Sequence, residues 1–151
     1  MESLFTRLEN EHRTILEALD AFERYLARAS SGAGRCEPCD LPRFLVFHRE
    51  YVDLIHHERE EKILLPALTR HDFGAGSGPL AHVKEQHDRE RDLLQDLFSI
   101  GFRRGGCSPA DPDFQRASRA FLDFQRVHIE RETAVLSPAA RTTLKNVHAL
   151  L

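Results

Sequence analysis

The amino-acid sequence predicts an all-α fold: an antiparallel up-down-up-down four-helix bundle with a short C-terminal extension. Three observations carry this expectation. Four stretches of about 25 residues repeat their apolar side chains every three or four positions, the period of a helix face. Clusters of Gly, Pro and Ser separate these stretches and punctuate the chain. No strand-like alternation of useful length, internal repeat or low-complexity segment competes with the helical pattern.

The first stretch runs from about Glu2 to Ala29, with Leu4, Leu8, Ile15, Leu19, Phe22 and Leu26 on one face. The SSGAG that follows can stop a helix, because glycine accepts the conformation a C-terminal cap requires. The second stretch starts after Pro42 and continues to about Arg70, and Leu45, His48, Val52, His56 and Ile63 share its inner face. The third opens after GAGSGP, turns Leu80, Val83, His87, Leu94 and Leu97 inward, and stops near Gly101, Gly105 and Gly106. The fourth begins at SPADPDF, where Asp111 caps and Pro112 suits the first turn. Phe114, Ala117, Phe121, Phe124, His128 and Val135 line its inner side until Ser137 and Pro138 close it. The residues beyond, to Leu151, are expected to form a short extra helix on the outside. Loops of about 6 to 12 residues suit antiparallel neighbours.

At 151 residues the chain fits one domain, 1–151, with a bundle core over about 2–137 that needs no disulfides. The formal net charge is −3, with acidic and basic residues interspersed. That offers no large basic surface for a phosphate backbone, so nucleic acid is not an expected partner. The N-terminal residues hold no apolar stretch like a signal peptide's, and no run of about 18 apolar residues is present to span a bilayer. A soluble, cytoplasmic protein without a membrane partner is expected. The three cysteines, Cys36, Cys39 and Cys107, make an odd count that suits a reducing compartment. Cys36 and Cys39 form a lone CxxC, a poor zinc signal, and are read as a plain surface loop.

Nine histidines are the unusual feature of the composition. Each helix places one on the face expected to point inward: His12, His56, His87 and His128. A single imidazole among Leu and Phe is commonly a core histidine satisfied by hydrogen bonds. Four at once point to a common ligand, because burying an imidazole is unfavourable unless its ring nitrogens are used. Two of the four have a carboxylate one turn on, His56 with Glu60 and His128 with Glu132, on the same helix face. A charged glutamate on an inner face needs a positive partner, and no Lys or Arg falls on those positions. Iron in a mixed imidazole and carboxylate set within a four-helix core meets this need. The competing reading places the glutamates on a solvated face beside Arg59, Lys62 and Arg131.

His57 and Glu61 repeat the spacing one residue along, about 100° around a helix. The inner face favours His56 with Glu60 and leaves His57 at the edge, where it can contribute. In the third helix His82 lies five residues before His87 and is read as its neighbour. His48 shares a face with His56 two turns away; His48, His71 and His148 have no matched carboxylate set.

The segments HHEREEKILLPAL, GPLAHVKEQHDRER and HIERETAVLSP resemble successive signature regions of the hemerythrin-like HHE cation-binding domain. EHRTI, around His12, resembles its first helix, and the resemblance covers the chain from about Leu4 to Pro138. It implies an antiparallel bundle around a non-haem iron centre, usually two irons bridged by carboxylate or oxo groups. By position the ligands would be His12, His56, Glu60, His87, His128 and Glu132, with Glu60 and Glu132 as bridges. It also implies a small ligand such as oxygen, peroxide or nitric oxide, and a role in responding to these or in iron sensing and handling.

Departures from the family's oxygen carriers matter for function. Those carriers have five histidines, two of them one turn apart on the third helix. Here Val83 stands at the matching position, and the fourth helix carries Glu132 at a spacing of four instead of an aspartate at five. A ferritin-like di-iron oxidase would need two ExxH pairs, and only Glu9 with His12 has that spacing at a helix-facing position. HExxH, which a zinc hydrolase would carry, is absent. A metal-free structural or partner-binding bundle remains the non-metal alternative, and it would be indifferent to chelators.

Overall fold

The computed structural model describes residues 3–32, 40–71, 79–102 and 108–144. The expectations for Cys36, Cys39, Cys107, His148 and the last residues lie outside them. The described residues are helical, with no strand among them, and form a four-helix bundle of α1 (Leu4–Ser31), α2 (40–70), α3 (Pro79–Gly101) and α4 (112–143). No helix among them is long and apolar enough to cross a membrane.

Local signals set the ends. The Ser3 hydroxyl accepts the Thr6 N–H at 3.1 Å, and α1 terminates at Gly32, whose φ of 65° is open to glycine without strain. At the start of α4 Asp111 accepts the N–H groups of Asp113 and Phe114, and Pro112 occupies the first turn. The stop at Gly32 and the cap at Asp111 are those the sequence predicts.

Two helices are not α-helical throughout. In α2 the segments His48–His57 and Glu60–Leu64 are π-helical, and in α4 so is Glu132–Leu136. There the N–H groups of Leu65 and Ser137 reach the carbonyls of Glu60 and Glu132, five residues back. Each of these two wide turns comes just before a proline, Pro66 or Pro138. A proline in an α-helix lacks its N–H and crowds the carbonyl four residues earlier, and the wide turn relieves that conflict. Pro138 therefore does not close α4. The helix runs on through Ser137–Thr143, with Ala140 and Leu144 buried, where a separate outer helix was expected.

The same turns correct two inward assignments. In α2 the buried positions fall at Val52, His56, Glu60, Leu64 and Leu68, every four residues, and Ile63 is left at the surface. In α4 they fall at His128, Glu132, Leu136 and Ala140, and Val135 is exposed. A strict 3.6-residue period turns Ile63 and Val135 inward; one wide turn slips the register by a residue.

The core has three layers along the bundle. One end is apolar and large, with Ile15, Leu19, Phe22, Leu45, Val52, Leu97, Phe114 and Phe121. The other is smaller, built from Leu8, Leu64, Leu68, Leu80, Val83, Leu136 and Ala140. Between them every helix turns polar: Glu11 and His12, then His56, His57 and Glu60, then Gln86, His87 and Glu90, then Gln125, His128 and Glu132, all buried. So concentrated a polar layer inside an apolar core requires a specific partner.

Candidate metal centre

The six residues singled out in the sequence meet in this layer. His12, His56, Glu60 and Glu132 each offer a donor atom within 4.8 Å of the others, and so do Glu60, His87, His128 and Glu132. Two ligands on opposite sides of a cation at about 2.1 Å lie about 4.2 Å apart, so both groups have the span of a coordination sphere. The groups share Glu60 and Glu132. Glu132 lies 3.2 Å from His12 Nε2, 3.5 Å from His128 Nε2 and 3.8 Å from His87 Nε2. Glu60 lies 3.3 Å from His87 Nε2 and 3.9 Å from His56 Nε2.

The imidazoles are oriented from behind. His56 Nδ1 donates to Glu11 at 3.0 Å, His87 Nδ1 to Glu61 at 2.8 Å and His128 Nδ1 to the Gln86 amide oxygen at 3.2 Å. His12 Nδ1 faces the Thr133 hydroxyl at 3.4 Å. An outward Nδ1–H fixes the tautomer whose Nε2 lone pair points to the centre. The acceptors are themselves anchored, Glu11 by Arg59 and Glu61 by Arg91.

What converges at the centre is electron-rich. His12 Nε2 and His56 Nε2 lie 3.1 Å apart. The Nε2 atoms of His87 and His128, Oε2 of Glu60 and both Glu132 oxygens are buried without a hydrogen-bond partner among the described residues. The solvated-face reading of the glutamates is excluded, because Arg59 pairs with Glu11 and Lys62 with Glu58 while Glu60 and Glu132 are buried. Two buried carboxylates with only imidazoles for company need positive charge. Without a metal, protons supply it. Burial works against a charged His87, but the carboxylates of Glu132 and Glu60 outweigh it and push this imidazole up to about 10. Burial likewise opposes a charged Glu132, and the His12 and His87 imidazoles beside it outweigh that and hold it well below the ordinary carboxylate range. Burial pushes His128 down to about 4, which keeps it in the neutral form that ligates.

His57, expected at the edge, is buried inside. One of its ring nitrogens lies within 4.8 Å of donor nitrogens of His87 and His128, and its ring stacks on His87 at 3.9 Å. The π-helical stretch explains this, since a wider turn rotates each residue through less than 100° and lets neighbours share the interior. The doubled letters of HHEREE were the available signal. His56 and Glu60 belong to one donor group, His57 joins His87 and His128 in another, and Glu61 orients His87. Sequence reasoning also missed Glu11 and Gln86, and the buried Glu90, which takes a hydrogen bond from Gln125 and lies 3.4 Å from His57 Nε2. Burial holds Glu90 well above the ordinary carboxylate range.

Other candidates stay out. His82 is exposed beside Glu85, and His71 is at the surface. Glu9 faces outward to Arg141, which removes the ExxH pair of the ferritin-like alternative. His48 is fully buried, edge-on to Phe121 at 4.9 Å, with neither ring nitrogen hydrogen-bonded among the described residues. Burial pushes it down to about 3, so it is neutral in the fold. Replacing His48 with leucine is expected to add about 1–3 kcal/mol at pH 7 by removing unsatisfied nitrogens, with metal content unchanged. Because the folded value lies below the unfolded 6.5, the contribution of His48 to stability is complete above pH 6.5 and falls toward pH 3. The loss is about 1.4 kcal/mol per pH unit, and the variant should lack it. Urea unfolding at pH 7 and pH 5 checks both statements; identical pH slopes would refute them.

A helical bundle that buries imidazoles and carboxylates between two apolar layers defines a class, the proteins that hold metal cations in a four-helix core. The family model of the hemerythrin HHE cation binding domain matches residues 3–140, and the chain belongs to that family. No curated protein and no solved structure matches it.

Proposed function

We propose that this single-domain chain is a non-haem iron protein with a two-iron centre, acting on oxygen, peroxide or nitric oxide or in iron sensing and handling. The observation that carries the reading is the pair of overlapping donor groups sharing two buried carboxylates. His12, His56, Glu60 and Glu132 would hold one iron, and His87, His128, Glu60 and Glu132 the other. His57 is the further imidazole at the second position. In this reading the helices run up-down-up-down, as the three short connections favour.

Iron bound here supplies open coordination positions and one-electron chemistry toward small diatomic or peroxidic ligands. The chain's own residues do the rest. Glu11, Glu61 and Gln86 fix the imidazole tautomers, Glu60 and Glu132 neutralise the cations, and the apolar layers on both sides exclude water. Val83 leaves the third helix one imidazole short of the oxygen carriers, and His57 supplies an imidazole from the second helix instead.

Metal analysis of protein purified without a histidine tag tests the reading, with about two irons per chain expected and a spin-coupled pair by Mössbauer spectroscopy. His57→Ala should lower occupancy of the second position toward about one iron per chain and abolish the coupling. A chain with no bound metal and no gain in melting temperature on adding ferrous iron would sink the proposal.

A further inference from the structure

One cavity lies beside the centre, on the outer side of Glu132. It opens between α3 and α4, has a volume of about 510 Å³, and is lined by His82, Val83, Gln86, Arg131, Glu132, Val135 and Leu136. Glu132, which belongs to both four-residue donor groups, is one of its walls. A water molecule occupies about 30 Å³ of liquid, so a diatomic gas or hydrogen peroxide would leave this space largely empty. The volume instead falls in the range of small organic ligands, roughly 300–1,000 Å³.

The walls state a chemistry. Val83, Val135 and Leu136 make an apolar track, and Val135 is 62% exposed at its outer end because the wide turn of α4 rotates it off the core. Gln86 offers an amide N–H on the inner wall, since its oxygen is engaged by His128 Nδ1. Arg131 stands on the pocket as an exposed guanidinium with no ion-pair partner among the described residues, unlike Arg59, Arg91, Arg126 and Arg141. A free cation beside an apolar track suits an amphipathic anion. A third-helix imidazole at position 83 would lie across this route, and valine leaves it open.

We propose that this pocket binds a small organic anion of the aliphatic carboxylate class. Its head lies between Arg131 and Gln86, beside Glu132, and its chain lies along Val83, Leu136 and Val135. The inference rests on the metal reading above, because a bare Glu132 carboxylate would repel an anionic head. It departs from that reading in assigning the site a ligand larger than a diatomic or peroxidic one.

Isothermal titration of the iron-loaded protein with acetate, butyrate and hexanoate tests it. Each methylene laid on the apolar track should tighten binding about fourfold, the equivalent of about 0.8 kcal/mol. Val135→Asp, at an exposed position, should flatten that trend and weaken hexanoate at least about tenfold with iron content unchanged. Arg131→Gln should weaken all three carboxylates by a similar factor. Equal affinities along the series in iron-replete protein would overturn the pocket assignment and leave the metal reading standing. Protein that takes up no iron would overturn the metal reading, and this inference with it.

Discussion

Glu132→Ala is expected to release most of the bound metal and to destabilise the bundle by about 3–5 kcal/mol, the usual consequence of breaking a buried charge cluster by removing one partner. For a chain of this size that is a fall in melting temperature of roughly 10 °C. The effect should be large because this one side chain lies within 4 Å of three imidazoles and belongs to both donor groups. Without it Glu60 is left as the only shared carboxylate, and the Nε2 atoms of His12 and His128 face a cavity. Glu132→Gln keeps the volume and removes the charge, so a similar loss in that variant would assign the effect to electrostatics. Metal analysis and thermal unfolding of the two variants together decide it; full metal content in both would exclude Glu132 as a ligand.

Metal uptake at pH 7 should release about one proton or more per chain, because ligating imidazoles must be neutral. In the metal-free protein His87 is pushed up to about 10 by Glu132 and Glu60 despite its burial, and His56 is raised as well, against the same burial, by Glu60 and Glu11. At pH 7 His87 therefore carries a proton that the cation must displace. The sign follows from linkage. A folded value above the unfolded 6.5 stabilises the metal-free form fully below pH 6.5, and that contribution disappears as the pH rises through 10. Metal affinity should accordingly rise about tenfold per pH unit for each proton displaced. The stability gap between loaded and chelator-stripped protein should widen in the same direction, reaching about 4 kcal/mol at a free metal concentration of 1,000 times Kd. Chelator-competition titrations at pH 6, 7 and 8 measure this, and an affinity independent of pH would contradict it.

The bundle and most of its centre were legible in the sequence, for reasons that can be assigned to residues. The periodic apolar faces of α1 and α3 follow an α-helical repeat without interruption, so Leu8, Ile15, Leu19, Val83, Leu94 and Leu97 are buried as expected. His56 with Glu60 and His128 with Glu132 share a face at a spacing of four in α-helical and π-helical backbone alike, and both pairs reach the interior. Ile63, Val135 and the end of α4 were misread because a register slip of one residue leaves no mark in composition. Its only trace is the proline after each wide turn, which in isolation reads as a stop signal.

By itself, then, the sequence determined the helical class, the four faces, the six inward histidines and glutamates and the family to which they belong, since all of these depend on spacing within one helix. The tertiary structure decided what depends on two or more helices meeting. It turned His57 from an edge residue into an inner one, set Glu11, Glu61 and Gln86 behind the imidazoles, and sent Glu9 out to Arg141. It also opened a pocket beside Val83 that reaches Glu132. Hydrogen bonds between residues 26 to 45 positions apart have no local pattern, because their geometry is fixed only when separate helices pack at one distance and one rotation.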